Sequence, residues 1–453
     1  MPARPDARAG APPSGRGISS TDFAAAIAPY LPDARPVAVA VSGGGDSLAL
    51  LRLLHIWTQA RGAELTALTV DHGLRDASAV EAEQVATWCA ALGVRHVSLR
   101  WAQGQAQRGL TRSPQADART ARYDLMTGWC RAQGIETLCL AHHADDQVET
   151  FLIRLARGSG VDGLAAMAAT TVRDGVTLLR PLLSFPKAAL MDTCRAFGQD
   201  WIEDPSNANT AATRVRFRQA RDLLAAEGLT TERLLATVGH MQRARGALET
   251  MVTELLTQAC AWDAFGVARL DVARLLSAPE EVALRALAQV LMAAAGAEFG
   301  PRFDALGGVY RRLARGPWRD ATLHGCQLQR DGDAIVVSRE AAAITDVQML
   351  APGEEVRWDG RFVLRSPASA PCAFRVSAMT AAGWGALKRE GGLRVAPVLR
   401  AGLPLLSDER GPAAVPIVDF LRDDLRLALG KHTIQCVFVF RRAVADLPPF
   451  AGM

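Results

Sequence analysis

Blocks of apolar and polar residues alternate along the first half of the chain, and their lengths predict strands and helices in turn. Val37 to Val41 is a short apolar run rich in β-branched residues, the pattern of a strand buried on both faces. After a polar break at Ser42, Leu48, Leu50, Leu51, Leu53 and Leu54 recur at helical spacing. Leu65 to Val70 reads as a second strand, Ala79 to Leu92 as a helix, Val94 to Leu99 as a strand and Ala118 to Gln133 as a helix. Glu136 to Ala141 is another strand, followed by a helix to near Arg157. Gly158 to Gly163 is a loop, Leu178 to Leu183 a short strand and Pro186 to Phe197 a helix. Strands and helices alternating at these lengths require right-handed crossovers and hence a parallel sheet. In such sheets ligands lie outside the carboxyl ends of the strands. That rule gathers Ser42 to Ser47, Asp71 to Arg75 and His142 to Asp146 on one rim.

The second half reads differently. Helical periodicity runs over Thr230 to Trp262, Pro279 to Ala295 and Pro301 to Ala314, and the strand pattern resumes at Thr322 to Ser338 around an Asp-Gly turn at Arg330 to Asp333. A second hairpin is expected around Trp358 to Arg361, and the last apolar strand over Thr433 to Phe440. The expected fold is α/β: a Rossmann-like parallel sheet, then a helical domain, then a small C-terminal α+β domain. The boundaries read as a disordered tail over 1–20, a catalytic domain over 21–224, a mainly helical domain over 225–339 and an α+β domain over 354–453. The tail is rich in Pro, Gly and Arg and lacks the apolar centre of a secretory signal.

Composition narrows the function classes. The 453 residues, 49% hydrophobic and 22% charged, suit a soluble globular protein of about two to four domains. No apolar run approaches the ~18 residues of a membrane span. The eight cysteines are scattered without a CxxC pair, which favours a reduced, cytoplasmic compartment and argues against structural zinc, an iron–sulfur cluster or a redox pair. Net charge is only +4, so any nucleic-acid footprint must be a local patch. Nearly all basic residues are arginine; Lys187, Lys388 and Lys431 are the exceptions. Arginine pairs bidentately with phosphate, although genome base composition would produce the same bias.

The chemistry concentrates in two strings. In Ser42-Gly43-Gly44-Gly45-Asp46-Ser47 a strand, a glycine turn and a helix start are packed together. Glycines let backbone N–H groups approach an anion, and the new helix aims its unsatisfied N–H groups and dipole at the same place. It is a phosphate cradle, but not a Walker A loop, because no lysine stands near it in sequence, and not a dinucleotide fingerprint, because the third glycine position is empty. The second string is Ala141 to Met167. Asp146 and Glu149, three apart, share a helix face just after a strand end. Two carboxylates there suit Mg2+, a substrate ammonium, control of each other's protonation state or simple complementation of the helix dipole, and the residues alone leave all four open. His142 and His143 precede them, with His143 readable as a packed neighbour; His55, His96, His240, His324 and His432 read as structural.

The cradle resembles the PP-loop of the ATP pyrophosphatase superfamily, whose members split ATP between its α and β phosphates. SGGGDS, VDHGLR, ARTARYDLM, AHHADDQVETFLIRLARGSGVDGL, LLRPLL and EDPSN with an arginine run (Arg214, Arg216, Arg218, Arg221), in that order, resemble the tRNA(Ile)-lysidine synthase family over Pro36 to Leu224. APVLRAGLPLL, Ala396 to Leu406, is faintly similar to that family's terminal RNA-binding domain. The resemblance implies ATP-dependent ligation of L-lysine to C2 of the wobble cytidine in the isoleucine tRNA with a CAU anticodon, releasing AMP and pyrophosphate. It implies that Ser42, Gly43, Gly44, Gly45, Asp46 and Ser47 bind ATP, and that Asp46 places Mg2+. Arg122 would pair with a phosphoryl or developing oxyanion, and His142 would lie beside the adenylated base. Asp146, Glu149 and Arg214 would form the lysine site. No membrane and no protein partner are implied. Three alternatives remain: a 2-thiocytidine synthetase, which needs the paired cysteines this chain lacks; an amidotransferase-coupled synthetase, whose nucleophile elbow is absent; and a nucleotide-dependent RNA-binding protein without catalysis.

Overall fold

A computed structural model describes residues 17–71, 77–101, 114–203, 217, 220–316, 318–379, 383–385, 400, 402–429 and 432–439. They fall into two compact units, Met1–Arg245 and Gly246–Met453.

The first unit is built on a six-stranded sheet. Its strands are β1 (Val37–Ala40), β2 (Leu65–Asp71), β3 (Arg95–Arg100), β4 (Thr137–Cys139), β5 (Thr170–Arg173) and β6 (Val176–Leu179), in the spatial order β3-β2-β1-β4-β6-β5. All neighbours are parallel except the edge pair β5 and β6. Strand β1 has β2 on one side and β4 on the other, so the chain reverses its direction of travel across the sheet there. This is the switch point at which a crevice opens outside the strand ends.

Alternation along β1 feeds two cores, since successive side chains of a strand point to opposite faces. Val37 and Val39 pack with helices α1 (Ser20–Ile27), α2 (Gly45–Gln59) and α3 (Ala77–Ala91) and with Leu190 and Cys194 of a later helix, Lys187–Ala196. Ala38 faces the opposite layer, with Tyr123, Met126 and Cys130 of α4 (Pro114–Ala132). All five leucines that predicted α2 are buried, so this helix is covered on more than one face.

Among the departures from the sequence reading, four bear on the layout of the units. Ile18, assigned to the tail, belongs to the fold: it is buried and its N–H donates to Thr193 Oγ1 at 2.8 Å. The loop after α5 (Ala144–Leu155) contains a single helical turn, α6 (Val161–Leu164). The strand expected over Leu178 to Leu183 spans Val176–Leu179 instead; the Arg180 N–H still bonds the Ala169 carbonyl at 2.8 Å, and Pro181 has no N–H to extend the ladder. The helix expected through Trp262 stops at Ala259, and Cys260–Trp262 pairs as a strand instead. After α7 (Lys187–Ala196) and α8 (Arg221–Ala226), α9 (Thr231–Ala259) supplies Leu234 and Val238 to a cluster in the first unit and Val252 and Leu256 to the core of the second.

That second core runs from Val252 to Phe438. An antiparallel sheet of β7 (Cys260–Trp262), β8 (Ala268–Asp271), β9 (Ala321–Leu323), β10 (Cys326–Asp331) and β11 (Ala334–Arg339) packs with α10 (Val272–Ser277), α11 (Glu280–Ala295) and α12 (Phe303–Arg315). A five-stranded and a three-stranded sheet follow, the latter containing the expected hairpin Glu355–Trp358 and Phe362–Arg365. The buried Arg361 joins parts of this unit: it donates to Asp359 at 2.7 Å and to the Gly402 carbonyl at 2.8 Å. Among the described residues no helix is long and apolar enough to cross a membrane.

Candidate active site

The glycine turn after β1 is held from behind. Gly43 adopts φ +87°, which disfavours any side chain, and a Cβ there would lie 2.8 Å from Ile202 Cδ1. Its carbonyl accepts from the Ile202 N–H at 2.9 Å. Gly45 begins α2 under Met191, whose Cε would meet a Cβ at 2.6 Å, and its carbonyl faces the Cys194 thiol at 3.3 Å. Gly44 differs: its φ is an ordinary −73°, and a Cβ would find only Ser42 Oγ, 3.7 Å away. One side of the turn is therefore packed against the protein and the other left open at the helix N-terminus. Ser47 closes the loop, accepting from the Ser42 N–H at 3.1 Å and donating to the Gly44 carbonyl at 2.8 Å.

Asp46 projects from the first turn of α2 and meets groups from two other elements. His143, at the end of the β4 loop, places Nε2 3.6 Å from Asp46 Oδ2 and 3.5 Å from Asp146 Oδ2. Its Nδ1 lies 3.6 Å from Asp145 Oδ2. Burial would push the His143 pKa down, but the hydrogen bond to Asp46 and the charges of Asp146, Asp46 and Asp145 outweigh it, so the net shift is upward. Lys187, the first residue of α7, puts Nζ 3.7 Å from the same Asp46 oxygen. Pro186 cannot cap α7 with a side chain, and Asp145 does so from a distance, accepting the Lys187 N–H at 2.7 Å. Asp146 in turn accepts the His143 N–H at 3.1 Å and caps its own helix. The starts of α2, α5 and α7 thus meet at one set of carboxylates.

Glu149, one turn into α5, is buried and borders a small, open cleft. Asp145 shares the lining, and Val148, Leu152, Phe217 and Leu234 give apolar walls. Apolar walls beside two carboxylates suit an aliphatic chain ending in a cation.

Other expected residues are more scattered. His142 is half-buried at the end of β4. Arg122 is exposed on α4, beside Tyr123, whose ring has Arg119 and Arg173 guanidinium groups each 5.3 Å from its centre. Asp71 is buried and accepts from Ser78 Oγ at 2.6 Å. Arg214, Arg216 and Arg218, residues 72–75 and 204–207, and part of 396–406 lie outside the described residues. Sequence reasoning placed His143 and Asp145 on the rim without assigning either a role, and named Lys187 only as one of three lysines. The signal for Lys187 was available: it starts a helix shortly after a strand end, in a chain with three lysines.

The eight cysteines are all free. Burial pushes Cys89, Cys130 and Cys194 up to about 11 and Cys260, Cys326 and Cys436 up to about 12, which keeps these thiols protonated and poorly nucleophilic.

Residues 18–222 match the family model of the PP-loop domain. The chain is 40% identical over 333 residues to the tRNA(Ile)-lysidine synthase of Ruegeria pomeroyi, covering 74% of this chain and 77% of that one. It is 35% identical over 330 residues to the enzyme of that name from Wolbachia pipientis wMel, covering 72% and 76%. With that from Hyphomonas neptunium it shares 40% identity over 328 residues, covering 69% and 84%.

Proposed function

The chain belongs to the tRNA(Ile)-lysidine synthase family, and from that premise we propose how its own residues divide the work of an ATP-dependent ligase acting on an isoleucine tRNA. The reaction has two steps. O2 of the wobble cytidine attacks the α-phosphorus of ATP, the bond to the bridging oxygen breaks and pyrophosphate leaves with the electron pair. The ε-amine of free lysine then adds to C2, and AMP departs from the adenylated base. The cytoplasm, where tRNA is modified, is the proposed compartment, and a tRNA with a CAU anticodon the proposed substrate.

The observation that carries this reading is the convergence of three helix starts on Asp46, next to a carboxylate-bearing cleft. The open side of Gly44 and the N–H groups of α2 receive the pyrophosphate portion of ATP, where fixed donors stabilise the charge that develops as it leaves. Mg2+ fits the donor chemistry of the site: among the described residues no cage of three or more ligands exists, and a magnesium ion commonly takes one or two carboxylates plus substrate phosphates. Asp46 would hold it, and when bound it supplies neutralising charge at the phosphates. His142 lies at the strand end where the base would be presented, and Arg122 is proposed to reach a phosphoryl oxygen. Glu149 and Asp146 recognise the lysine ammonium, with Arg214 completing that site. A carboxylate there also accepts the proton that must leave before the amine can attack.

A sulfur-transfer reading is disfavoured by thiols that burial holds protonated. The test is incubation with total tRNA, ATP, Mg2+ and each radiolabelled amino acid in turn. Lysine alone labels tRNA, with AMP and pyrophosphate as products; ADP formation, or label from another amino acid, contradicts the reading.

A further inference from the structure

A Walker A loop reaches its terminal phosphates with a lysine from its own sequence, and the cradle after β1 has none. The fold brings one from elsewhere. Lys187 Nζ stands 3.7 Å from Asp46 Oδ2, at the mouth of the glycine turn, and 43% of its side chain is exposed to that mouth and to solvent. It is the single lysine in the first 387 residues of a chain whose other cations there are arginines. We propose that Lys187 contacts the pyrophosphate portion of ATP, as a phosphate-binding residue supplied by α7 rather than by the loop. This assignment rests on the adenylation chemistry proposed above and names a further group for it.

Three observations carry it. First, the position of the Lys187 backbone is fixed. The Lys187 N–H is taken by Asp145 at 2.7 Å, Cys194 of the same helix touches the Gly45 carbonyl, and Met191 covers Gly45, so α7 is braced against the loop it serves. Second, the pair with Asp46 is long and half-exposed, and pairs of that kind stabilise a fold little. Third, Asp46 is negative and lies where a polyanion must enter. His143 meets that carboxylate from a buried position, whereas Lys187 has a flexible four-carbon stem and partial exposure, so it can turn from the carboxylate to an arriving phosphate. As the α-phosphorus to bridging-oxygen bond breaks, the ammonium offsets the charge gained by the leaving pyrophosphate.

The discriminating measurement is binding of the two halves of ATP. Inorganic pyrophosphate and AMP are titrated separately against radiolabelled α,β-methylene ATP bound to the full-length protein and to Lys187→Ala, Lys187→Met and Lys187→Arg. Lys187→Ala and Lys187→Met should need about ten- to a hundredfold more pyrophosphate for displacement, the scale of one lost charge-assisted hydrogen bond, with AMP displacement within about twofold of wild type. Lys187→Arg should recover part of the loss. Unchanged pyrophosphate displacement overturns the assignment, and so does equal weakening toward AMP and pyrophosphate, which is what a merely structural lysine would give. Lys187→Met keeps the packing of the stem and serves if Lys187→Ala melts early. If the wild-type protein binds pyrophosphate through Lys187 yet attaches no lysine to tRNA, the lysidine reading fails while the Lys187 assignment stands.

Discussion

Glu149 is the residue at which the two proposed chemical steps should separate. It is buried beside an apolar cleft, and the second step alone uses the ammonium it is proposed to recognise. Glu149→Gln keeps the volume and removes the charge. It should raise the lysine KM by about tenfold or more, the scale of a hydrogen bond to a charged group, while ATP-dependent pyrophosphate release on tRNA persists. Steady-state kinetics with lysine varied, alongside a pyrophosphate assay, read the two effects separately. Loss of pyrophosphate release with lysine KM unchanged would assign this carboxylate to the metal. Glu149, like Asp46, His142 and Asp146, could be singled out as a candidate in the sequence because it stands in the first turns after a strand end, a position that pattern alone locates. His143 and Asp145 were placed on the same rim without a role, and Lys187 was given none. Their significance is a contact made across the sheet, which depends on β4 lying next to β1 and on α7 starting beside both. Nothing local in AHHADD distinguishes the histidine that reaches Asp46 from the one before it.

At the scale of elements, the three glycines of the turn have different physical duties, and substitution should divide them. Gly43 holds φ +87° against Ile202, so Gly43→Ala combines backbone strain with a close contact and should lower stability by about 1–3 kcal/mol. Gly44 has φ −73° and open space, so Gly44→Ala should leave thermal melting nearly unchanged, within about 1 kcal/mol. Its methyl group would nevertheless occupy the side on which phosphate approaches, and ATP affinity should fall. Melting curves with ATP titrations check both, and a Gly44→Ala protein that binds ATP normally would mean that the open face is not the phosphate face. Elements in the first unit were readable because buried parallel strands appear as unbroken apolar runs between helices of amphipathic or fully apolar pattern. The elements that escaped are short or half-exposed. Strand β5, Thr-Thr-Val-Arg, is an edge with both central residues exposed, and Cys260–Trp262 continues the residue pattern of the helix before it. In Gly411–Val415, proline and alanine give little strand signal, and pairing with a neighbouring strand is what makes it one.

For the molecule as a whole the question is how a chain of net charge +4, with 51 basic and 47 acidic residues, takes hold of a polyanion as large as a tRNA. A charge so nearly balanced gives little long-range attraction, so affinity must come from places where arginines gather without acids between them. Helix α12 is such a place. Leu306, Val309 and Leu313 fix its inward face, and Arg311, Arg312 and Arg315 are exposed on the remaining arc. Among the described residues none of these three arginines has a carboxylate within ion-pair distance, and from Arg311 to Arg319 the sequence contains no acidic residue. Phe303, which begins the helix, is 69% exposed and Phe299 77%, leaving aromatic faces available to unstacked bases. Neutralising Arg311, Arg312 and Arg315 together, as glutamines, should weaken tRNA binding in filter assays by about tenfold or more at low salt. It should also flatten the plot of log affinity against log salt by about 2–3, close to one phosphate contact per arginine. The lysine KM at saturating tRNA should not move, because the proposed lysine site lies in the first unit, among groups the substitutions do not touch. An unaltered salt slope would show that these arginines are solvated surface only, and that the phosphates are held by basic residues elsewhere in the chain.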